Sequence, residues 1–243
     1  MAKLYVVGFG PGGYEHMTVR AVDVIKSADI VTGYTTYVNM LKEFFPDKQY
    51  LSTPMKKEVD RCRLAVSKAM EGYTVAMVSS GDSGIYGMAG IVLQVAKEMN
   101  ADIDIEVVPG VTAASAAASV LGATLMHDTA LISLSDLMTP LDLIMKRVDC
   151  AGQSDFVICL YNPKSKKRTE YIGMAADILM KYRKADTPVG IVRHAGRSGE
   201  SSFLTTLEKL KEADIDMFSI VVIGNSQTYV DDGKMITPRG YTL

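Results

Sequence analysis

Apolar residues along the chain follow two alternating patterns. Short runs rich in valine, isoleucine and other apolar residues predict strands, and between them apolar residues recur every three or four positions, as in amphipathic helices. The predicted strands cover residues 4–8, 29–32, 74–79, 105–108, 129–134, 155–161, 189–194 and 219–224, with an edge strand at 234–238. The predicted helices cover residues 18–28, 61–71, 140–148, 168–182 and 206–211. This alternation is typical of α/β folds built around a mainly parallel sheet.

The stretch of small residues at 113–122 is the weakest point in this alternation, and neither half of the chain has a Pro- or Ser-rich linker. We therefore expect two α/β lobes of similar size, residues 1–118 and 119–243. Ligands of open α/β sheets bind beyond the carboxyl ends of the strands. The loops that follow the predicted strands are therefore where we expect the functional residues.

Composition narrows the classes of function. The chain has 243 residues, 48% hydrophobic and 22% charged, as in ordinary soluble globular proteins. Its formal net charge of −2 provides no broad positive field, so we expect no nucleic-acid partner. No apolar run approaches the roughly 20 residues that span a bilayer, so we expect no membrane partner. The three cysteines and three histidines lack metal-ligand spacing, which indicates no metal site, no disulfide framework and a cytoplasmic location.

Loop 1 (residues 8–13) matches the GxGxxG pattern of dinucleotide-binding folds. Residues 14–17, however, separate it from Thr18, the predicted N-cap of the next helix, whereas a dinucleotide loop opens directly into a helix. Pro11 also lacks the N–H that a phosphate would accept from. A dinucleotide site, a plain tight turn and a site for another nucleoside-bearing ligand all stay open, and the third is favoured.

Two further loops follow predicted strands. Loop 2 (residues 79–84, continued by residues 85–88) contains Asp82 between glycines. The Asp82 carboxylate either binds a ribose or ammonium group or forms an Asx turn or N-cap. Loop 3 (residues 108–115) is a proline-glycine turn that leads into a helix of very small residues. The free amides at the start of that helix suit a ligand, and its small side chains equally suit tight packing.

Basic residues are clustered even though the chain is slightly acidic. The clusters are Lys164, Lys166, Lys167 and Arg168; Arg193 and Arg197; and a smaller group of Lys56, Lys57, Arg61 and Arg63. Such clusters favour a polyanionic small ligand, with a solvated surface as the alternative. The sequence shows no G-x-S-x-G elbow and no recognisable pair of nucleophile and base. We therefore expect chemistry that depends more on positioning than on side-chain acid or base.

Taken together and in order, residues 7–12, 80–87 and 109–113 resemble the tetrapyrrole methylase family of S-adenosylmethionine-dependent enzymes. Residues 55–62, 133–140, 160–165 and 193–197 most resemble the branch that methylates ring carbon C-17 of precorrin-3B or cobalt-factor III in cobalamin biosynthesis. The resemblance covers essentially the whole chain. One departure is Ser83, which stands where many relatives have Pro or Ala.

The resemblance implies two α/β lobes with a ligand cleft between them, a homodimer, and methyl transfer with ring contraction that yields S-adenosylhomocysteine. It implies that the cofactor contacts Pro11, Gly81, Asp82, Ile85, Tyr86, Thr112, Ala113, Tyr161, Asn162, His194 and Asn225. For the tetrapyrrole substrate, which carries many carboxylates, we expect contacts from Ser135, Lys164, Arg168, Arg193 and Arg197.

No catalytic residue follows from this resemblance. Asp136, Ser135 and Tyr161 are the candidates for a general base. A related methylase that acts at another corrin position, on a modified protein histidine or on ribosomal RNA remains an alternative. A nicotinamide-dependent oxidoreductase is a more distant one.

Overall fold

The computed structural model describes residues 3–242 and divides the chain into two compact units. The first unit ends at Ala113 and the second begins at Ala114. Within residues 3–242 no helix combines the length and the apolar character needed to cross a membrane.

The first unit is a parallel five-stranded sheet with helices on both faces. Its strands are β1 (Lys3–Gly8), β2 (Ile30–Tyr34), β3 (Gln49–Thr53), β4 (Thr74–Ser79) and β5 (Asp104–Val108). Its helices are α1 (Val19–Ser27), α2 (Thr35–Phe44), α3 (Glu58–Met70) and α4 (Ala89–Glu98), with a 3-10 turn at Tyr14–His16. The strand order is β3-β2-β4-β1-β5, and all four neighbouring pairs are parallel.

Continuous apolar runs explain why this sheet is covered on both faces. Strand β4 is buried at every position after Thr74, as expected of a central strand with helices above and below it. Leu4 and Val6 pack with α3 and α4 on one face, whereas Val7 and Phe9 pack with α1 and α2 on the other. The order β3-β2-β4-β1-β5 places the ends of β1, β4 and β5 side by side, and these are the strands that precede loops 1, 2 and 3.

The predicted N-cap at Thr18 is confirmed. Its hydroxyl oxygen accepts a hydrogen bond from the Ala21 N–H at 3.1 Å and so satisfies one free amide of α1. The 3-10 turn and Met17 lie between loop 1 and this cap. Loop 1 therefore does not open into a helix in the way that a dinucleotide fingerprint requires.

The second unit contains a mixed five-stranded sheet and a small three-stranded one. Its strands are β6 (Gly122–Ala123), β7 (Thr129–Ser133), β8 (Val157–Tyr161), β9 (Pro188–Arg193), β10 (Ser201–Thr206), β11 (Ser219–Ile223), β12 (Tyr229–Asp231) and β13 (Lys234–Ile236). Its helices are α5, which runs from Ala113 to Leu121, α6 (Leu141–Gln153) and α7 (Tyr171–Leu179), with a 3-10 turn at Leu210–Glu212. The strand orders are β10-β9-β11-β8-β7 and β12-β13-β6.

The eight strands predicted between residues 4 and 224 are confirmed, but the expectation of a mainly parallel sheet is wrong for the second unit. The strand predicted at 234–238 is β13, but it lies between β12 and β6 and not at an edge. In its larger sheet only β7 and β8 pair in parallel among residues 3–242, and the other three pairs are antiparallel. The short connection from β9 to β10 has room only for a hairpin, since a parallel crossover needs a dozen or more residues.

The helix predicted at residues 206–211 is also wrong. Thr206 is the last residue of β10 and pairs with Pro188, and a single 3-10 turn follows at Leu210–Glu212. Cross-strand pairing with β9 outweighs a helical pattern only six residues long. The edge strands β3 and β10 were not predicted, because their exposed, polar sequences lack the apolar run that marks the central strands.

Thiol reactivity tests the packing of both units. Cys62 on α3 and Cys159 on β8 are buried, whereas Cys150 is exposed. Burial raises the pKa of Cys62 to about 11 and that of Cys159 to about 12, because the thiolate loses its hydration. We expect Ellman's reagent at pH 8 to modify Cys150 rapidly and the other two thiols only after denaturation. A Cys150→Ser variant that still reacts rapidly in the native state would contradict this packing.

Candidate functional site

Loops 1 and 2 are joined at the carboxyl ends of β1 and β4. The Phe9 N–H donates to the Ser79 carbonyl at 3.0 Å. Gly10 and Gly81 exchange two backbone hydrogen bonds, at 3.1 and 2.7 Å, and form an isolated antiparallel bridge. The two loops therefore hold each other in place through backbone hydrogen bonds.

Glycine is required where the three loops meet, because a side chain would collide with backbone. A Cβ on Gly110 would lie 2.2 Å from the Gly81 oxygen and 2.4 Å from the Gly8 oxygen. A Cβ on Gly8 would lie 2.7 Å from both the Gly81 oxygen and the Ser83 nitrogen. Gly8, the first glycine of the apparent GxGxxG pattern, thus serves close packing of loops. We call the contact of Gly8, Gly81 and Gly110 the glycine junction.

The Asp82 carboxylate organises loops 2 and 3. Its Oδ1 accepts the N–H groups of Gly84 and Ile85 at 2.8 and 3.0 Å, which is an Asx-turn arrangement. Its Oδ2 accepts the Gly110 N–H at 3.0 Å and so ties loop 3 to loop 2. The expected turn-forming role is therefore present. A carboxylate also has lone pairs beyond these three bonds, so this role leaves room for a ligand hydrogen bond.

The departure at Ser83 has a structural consequence. The side chain is fully buried, and its hydroxyl donates to the Val108 carbonyl at 3.0 Å. The serine thus adds a second link between loops 2 and 3, next to the one from Asp82. A proline or alanine at this position would lack the hydroxyl that makes this bond.

Around the glycine junction, loop 2 presents apolar surface. Ile85 is 36% exposed and Tyr86 is 54% exposed, the latter with a left-handed φ of 54°. A Cβ on Gly81, whose φ is +72°, would meet only Thr112 and Ala113, at 4.0 and 3.8 Å. The backbone of loop 2 is therefore open to a ligand on the side that faces the start of α5.

The second unit holds the predicted Tyr161 and Asn162 at the end of β8. The Tyr161 hydroxyl oxygen accepts the Ala114 N–H at 3.0 Å, near the start of α5. Asn162 adopts a left-handed φ of 51°, and its side-chain amide donates to the Ser133 hydroxyl at 3.0 Å. Parallel pairing of β7 and β8 brings these residues to one sheet edge.

Asp136 lies in a hydrogen-bonded cluster at the same edge. The Tyr171 hydroxyl donates to its Oδ2 at 2.8 Å, and Arg168 donates to the Ser135 hydroxyl at 3.0 Å and lies 3.4 Å from Asp136 Oδ1. The Tyr171 hydrogen bond, assisted by Arg168, lowers the pKa of Asp136. A general base is most effective with a pKa near the working pH, so this environment makes Asp136 a poor one.

The basic residues predicted for the substrate are divided between two places. Arg168 belongs to the Asp136 cluster, whereas Arg193 forms an ion pair with Asp214 and lowers the pKa of that carboxyl group. Lys164 contributes to the same lowering, which indicates that its ammonium group is also near Asp214. The Arg197 N–H donates to the His194 carbonyl at 2.8 Å.

Two further predicted residues of the second unit lie in turns. His194 has a left-handed φ of 50°, and its ring stacks on Phe218 with centroids 5.0 Å apart. Asn225 is buried, and its Oδ1 accepts the Gln227 N–H and the Thr228 hydroxyl, both at 3.1 Å. Both side chains thus have structural partners within the second unit.

The sequence prediction did not single out one feature of the first unit, a cavity of about 240 Å³ at the carboxyl ends of β2 and β4. Its walls are Tyr34, Tyr37, Met55, Glu58, Arg61, Val78, Ser79, Ser80, Tyr86, Gly87 and Met88. We call it the Arg61 cavity. The sequence placed Arg61 in a basic cluster, but no periodicity distinguished it from its exposed neighbours Lys56 and Lys57. Within residues 3–242, no group of three potential metal ligands is present.

Substitution of Gly110 tests the glycine junction. Gly110→Ala should lower the free energy of unfolding by about 1–3 kcal/mol or more, because its Cβ would overlap two backbone oxygens. Gly90→Ala is the matched control, since its Cβ meets nothing within 4 Å in α4 and should stabilise by up to about 1 kcal/mol. Urea denaturation measures both values, and equal stabilities of the two variants would refute the junction.

Known proteins are similar to this chain in sequence and in fold. The sequence model of the family Tetrapyrrole (Corrin/Porphyrin) Methylases matches residues 3–211. A probable cobalt-factor III C(17)-methyltransferase from Salmonella typhimurium is 50% identical over 240 residues, which are 99% of this chain and 100% of that protein. A precorrin-3B C(17)-methyltransferase from Sinorhizobium sp is 36% identical over 246 residues, or 98% of this chain and 96% of that protein.

Among solved structures, the crystal structure of the methyltransferase CobJ has a TM-score of 0.89 and 29% identity, and the alignment covers 98% of this chain and 100% of that one. The similarity thus extends through both units, including the sequence around the glycine junction. The chain belongs to the tetrapyrrole (corrin/porphyrin) methylases.

Proposed function

We propose that this protein transfers a methyl group from S-adenosylmethionine to ring carbon C-17 of cobalt-factor III, with ring contraction, in cobalamin biosynthesis. The observation that carries the proposal is end-to-end similarity, at 50% identity, to a protein named for that activity. Identity to the precorrin-3B enzyme is lower, at 36%, which favours the cobalt-containing substrate and leaves precorrin-3B as the alternative acceptor.

The loops around the glycine junction fit S-adenosylmethionine. A Cβ at Gly81 would project toward Thr112 and Ala113 without contact closer than 3.8 Å, so glycine leaves backbone accessible there. The exposed Ile85 and Tyr86 side chains offer apolar surface of the kind on which an adenine ring packs. Pro11, Gly81, Asp82, Ile85, Tyr86, Thr112 and Ala113 are the residues of the first unit that we propose hold the cofactor.

When bound, S-adenosylmethionine supplies a methyl group on a sulfonium that is already a strong electrophile. The chain must then orient the reactants, and such positioning lowers the activation free energy by roughly 7–11 kcal/mol. The glycine junction and the three N–H groups held by Asp82 make the loops rigid before any ligand arrives. Preorganised backbone of this kind suits methyl transfer, which needs no nucleophilic side chain.

In the second unit, the predicted substrate contacts Arg168 and Arg193 already have carboxylate partners. We propose that they act within these charge networks, with Ser135, Lys164 and Arg197, toward the carboxylates of the tetrapyrrole. The proposed cofactor contacts of Tyr161, Asn162, His194 and Asn225 likewise rest on the family resemblance. We also propose a homodimer that works in the cytoplasm, where a reducing environment suits the three unpaired cysteines among the described residues.

Cofactor binding is tested by filling the space beside Gly81. Gly81→Ala should weaken S-adenosylhomocysteine binding at least about tenfold in calorimetry, because the added Cβ occupies the ligand side of loop 2. Gly72→Ala is the control, since Gly72 has a left-handed φ of +100° with nothing within 4 Å of its Cβ. It carries comparable backbone strain away from the loops and should change the affinity less than twofold. Equal losses in the two variants would refute the proposed cofactor contact.

The reaction itself is tested by anaerobic incubation with methyl-deuterated S-adenosylmethionine and either cobalt-factor III or precorrin-3B. Mass spectrometry should show one labelled methyl group on cobalt-factor III. Methylation of precorrin-3B alone would move the assignment to that substrate. Methylation of neither, with S-adenosylhomocysteine still bound, would indicate another acceptor. Binding of a nicotinamide dinucleotide without S-adenosylhomocysteine binding would overturn the methyltransferase function.

A further inference from the structure

The Arg61 cavity lies beside loop 2, on the opposite side from the glycine junction. In the sheet order, β2 lies on one side of β4, the strand that precedes loop 2, whereas β1 and β5 lie on the other side. Gly8, Gly110, Thr112 and Ala113 do not line the cavity. Its volume of about 240 Å³ is below the roughly 300–1,000 Å³ of sites that enclose a whole drug-sized ligand. The size therefore suits one arm of a larger molecule.

Arg61 supplies a buried positive charge to this cavity. The side chain is only 4% exposed, its Nε donates to the Thr53 hydroxyl at 2.9 Å, and its Nη2 donates to the Pro54 carbonyl at 3.0 Å. Both acceptors are neutral. No carboxylate among residues 3–242 lies within ion-pair distance of the guanidinium, although its five N–H donors match a carboxylate well. A buried cation without a counterion is costly, and an anionic ligand would compensate it.

The rest of the cavity suits an aliphatic chain that ends in an anion. The Tyr34 ring lies 5.7 Å from the Arg61 guanidinium carbon and packs edge-on against Tyr37. Met55 and Met88 contribute apolar surface to the cavity wall, and methionine side chains adapt their shape readily to a ligand. An arm with methylene groups would contact the aromatic and thioether surfaces while its terminal group reaches Arg61.

Besides Arg61 and the three tyrosines, Glu58 is the ionisable residue that lines the cavity. It lies one helical turn before Arg61 on α3, but the two side chains are not within ion-pair distance. Glu58 is partly exposed, so water screens its charge more than that of the buried Arg61. Its repulsion reduces the attraction of the cavity for an anion without reversing it.

We propose that the Arg61 cavity binds one carboxylate-bearing arm of the tetrapyrrole substrate, with Arg61 as the residue that recognises the carboxylate. This inference rests on the proposed function, which supplies a substrate with several such arms. S-adenosylmethionine also carries a carboxylate on an aliphatic chain, so the test must distinguish the two molecules. Tyr86 belongs both to this cavity and to the proposed cofactor contacts, so the two sites adjoin at loop 2. Gly8, Gly110, Thr112 and Ala113 lie outside the cavity, which favours the tetrapyrrole.

The experiment compares Arg61→Gln and Arg61→Lys with the wild-type enzyme, using cobalt-factor III at saturating S-adenosylmethionine. Arg61→Gln should raise the KM for cobalt-factor III at least about tenfold, because it removes a buried charged hydrogen-bond donor. Arg61→Lys should raise it less, since it keeps the charge but loses the forked geometry. The S-adenosylhomocysteine dissociation constant from calorimetry should change less than twofold. Lys68→Gln, which removes a surface charge paired with Glu71 at the other end of α3, should leave both quantities unchanged.

Two results would overturn the assignment while the wild-type enzyme remains active. One is an unchanged KM for cobalt-factor III in Arg61→Gln. The other is a loss of S-adenosylhomocysteine affinity without a change in that KM, which would place the carboxylate of the methyl donor in the cavity. An inactive wild-type enzyme that binds no tetrapyrrole is a distinct outcome, because it overturns the proposed function and this subsite with it.

If circular dichroism shows that the Arg61 variants do not fold, a second variant tests the same proposal. Glu58→Gln removes the negative charge from the same cavity and interrupts no ion pair among the described residues. With a carboxylate in the cavity, this variant should lower the KM for cobalt-factor III about two- to threefold. A KM that is unchanged or raised in a folded Glu58→Gln protein would overturn the proposal.

Discussion

Gly110 approaches the carbonyl oxygens of Gly81 and Gly8 so closely that a Cβ would lie 2.2 and 2.4 Å from them. The remaining arrangement of the first unit's ligand loops depends on this contact. Because β1, β4 and β5 are neighbours in the sheet, their carboxyl ends converge, and only glycine lets three backbones share that space. Asp82 and Ser83 then link loops 2 and 3 by hydrogen bonds. These contacts hold the three loops against one another.

Two buried arginines show how similar side chains acquire different roles. Arg183 in the second unit donates to the carbonyl oxygens of Phe156 and Gly224 and joins segments of its own unit. Arg61 in the first unit also donates to a carbonyl and a hydroxyl, but it lines a cavity. The difference lies in what surrounds the guanidinium. Arg183 joins backbone segments, whereas Arg61 also lines the space in which we propose that a carboxylate binds.

The second unit illustrates the limits of charge clusters as indicators of binding. Arg168 and Arg193 stand out in the sequence, and both have acidic partners in the structure, Asp136 and Asp214. Those acids lie 32 and 21 residues away along the chain, so no local pattern reveals the pairing. Contacts with Tyr171 and Arg168 also make Asp136 a weak base, since both side chains stabilise its ionised form. Whether a charged side chain is free to bind a ligand thus depends on tertiary contacts that cannot be inferred from its position in the sequence.

The sequence by itself determined the central strands, the Thr18 cap and the three glycine-containing loops, because each arises from local preferences: apolar runs, capping chemistry and backbone freedom. It also identified the family. Tertiary structure alone decided the antiparallel pairing in the second unit, the strand end and 3-10 turn that replace the helix predicted at 206–211, and the position of Arg61 in a cavity wall. These features depend on partners distant in sequence, and the free energy of such contacts outweighs local propensity.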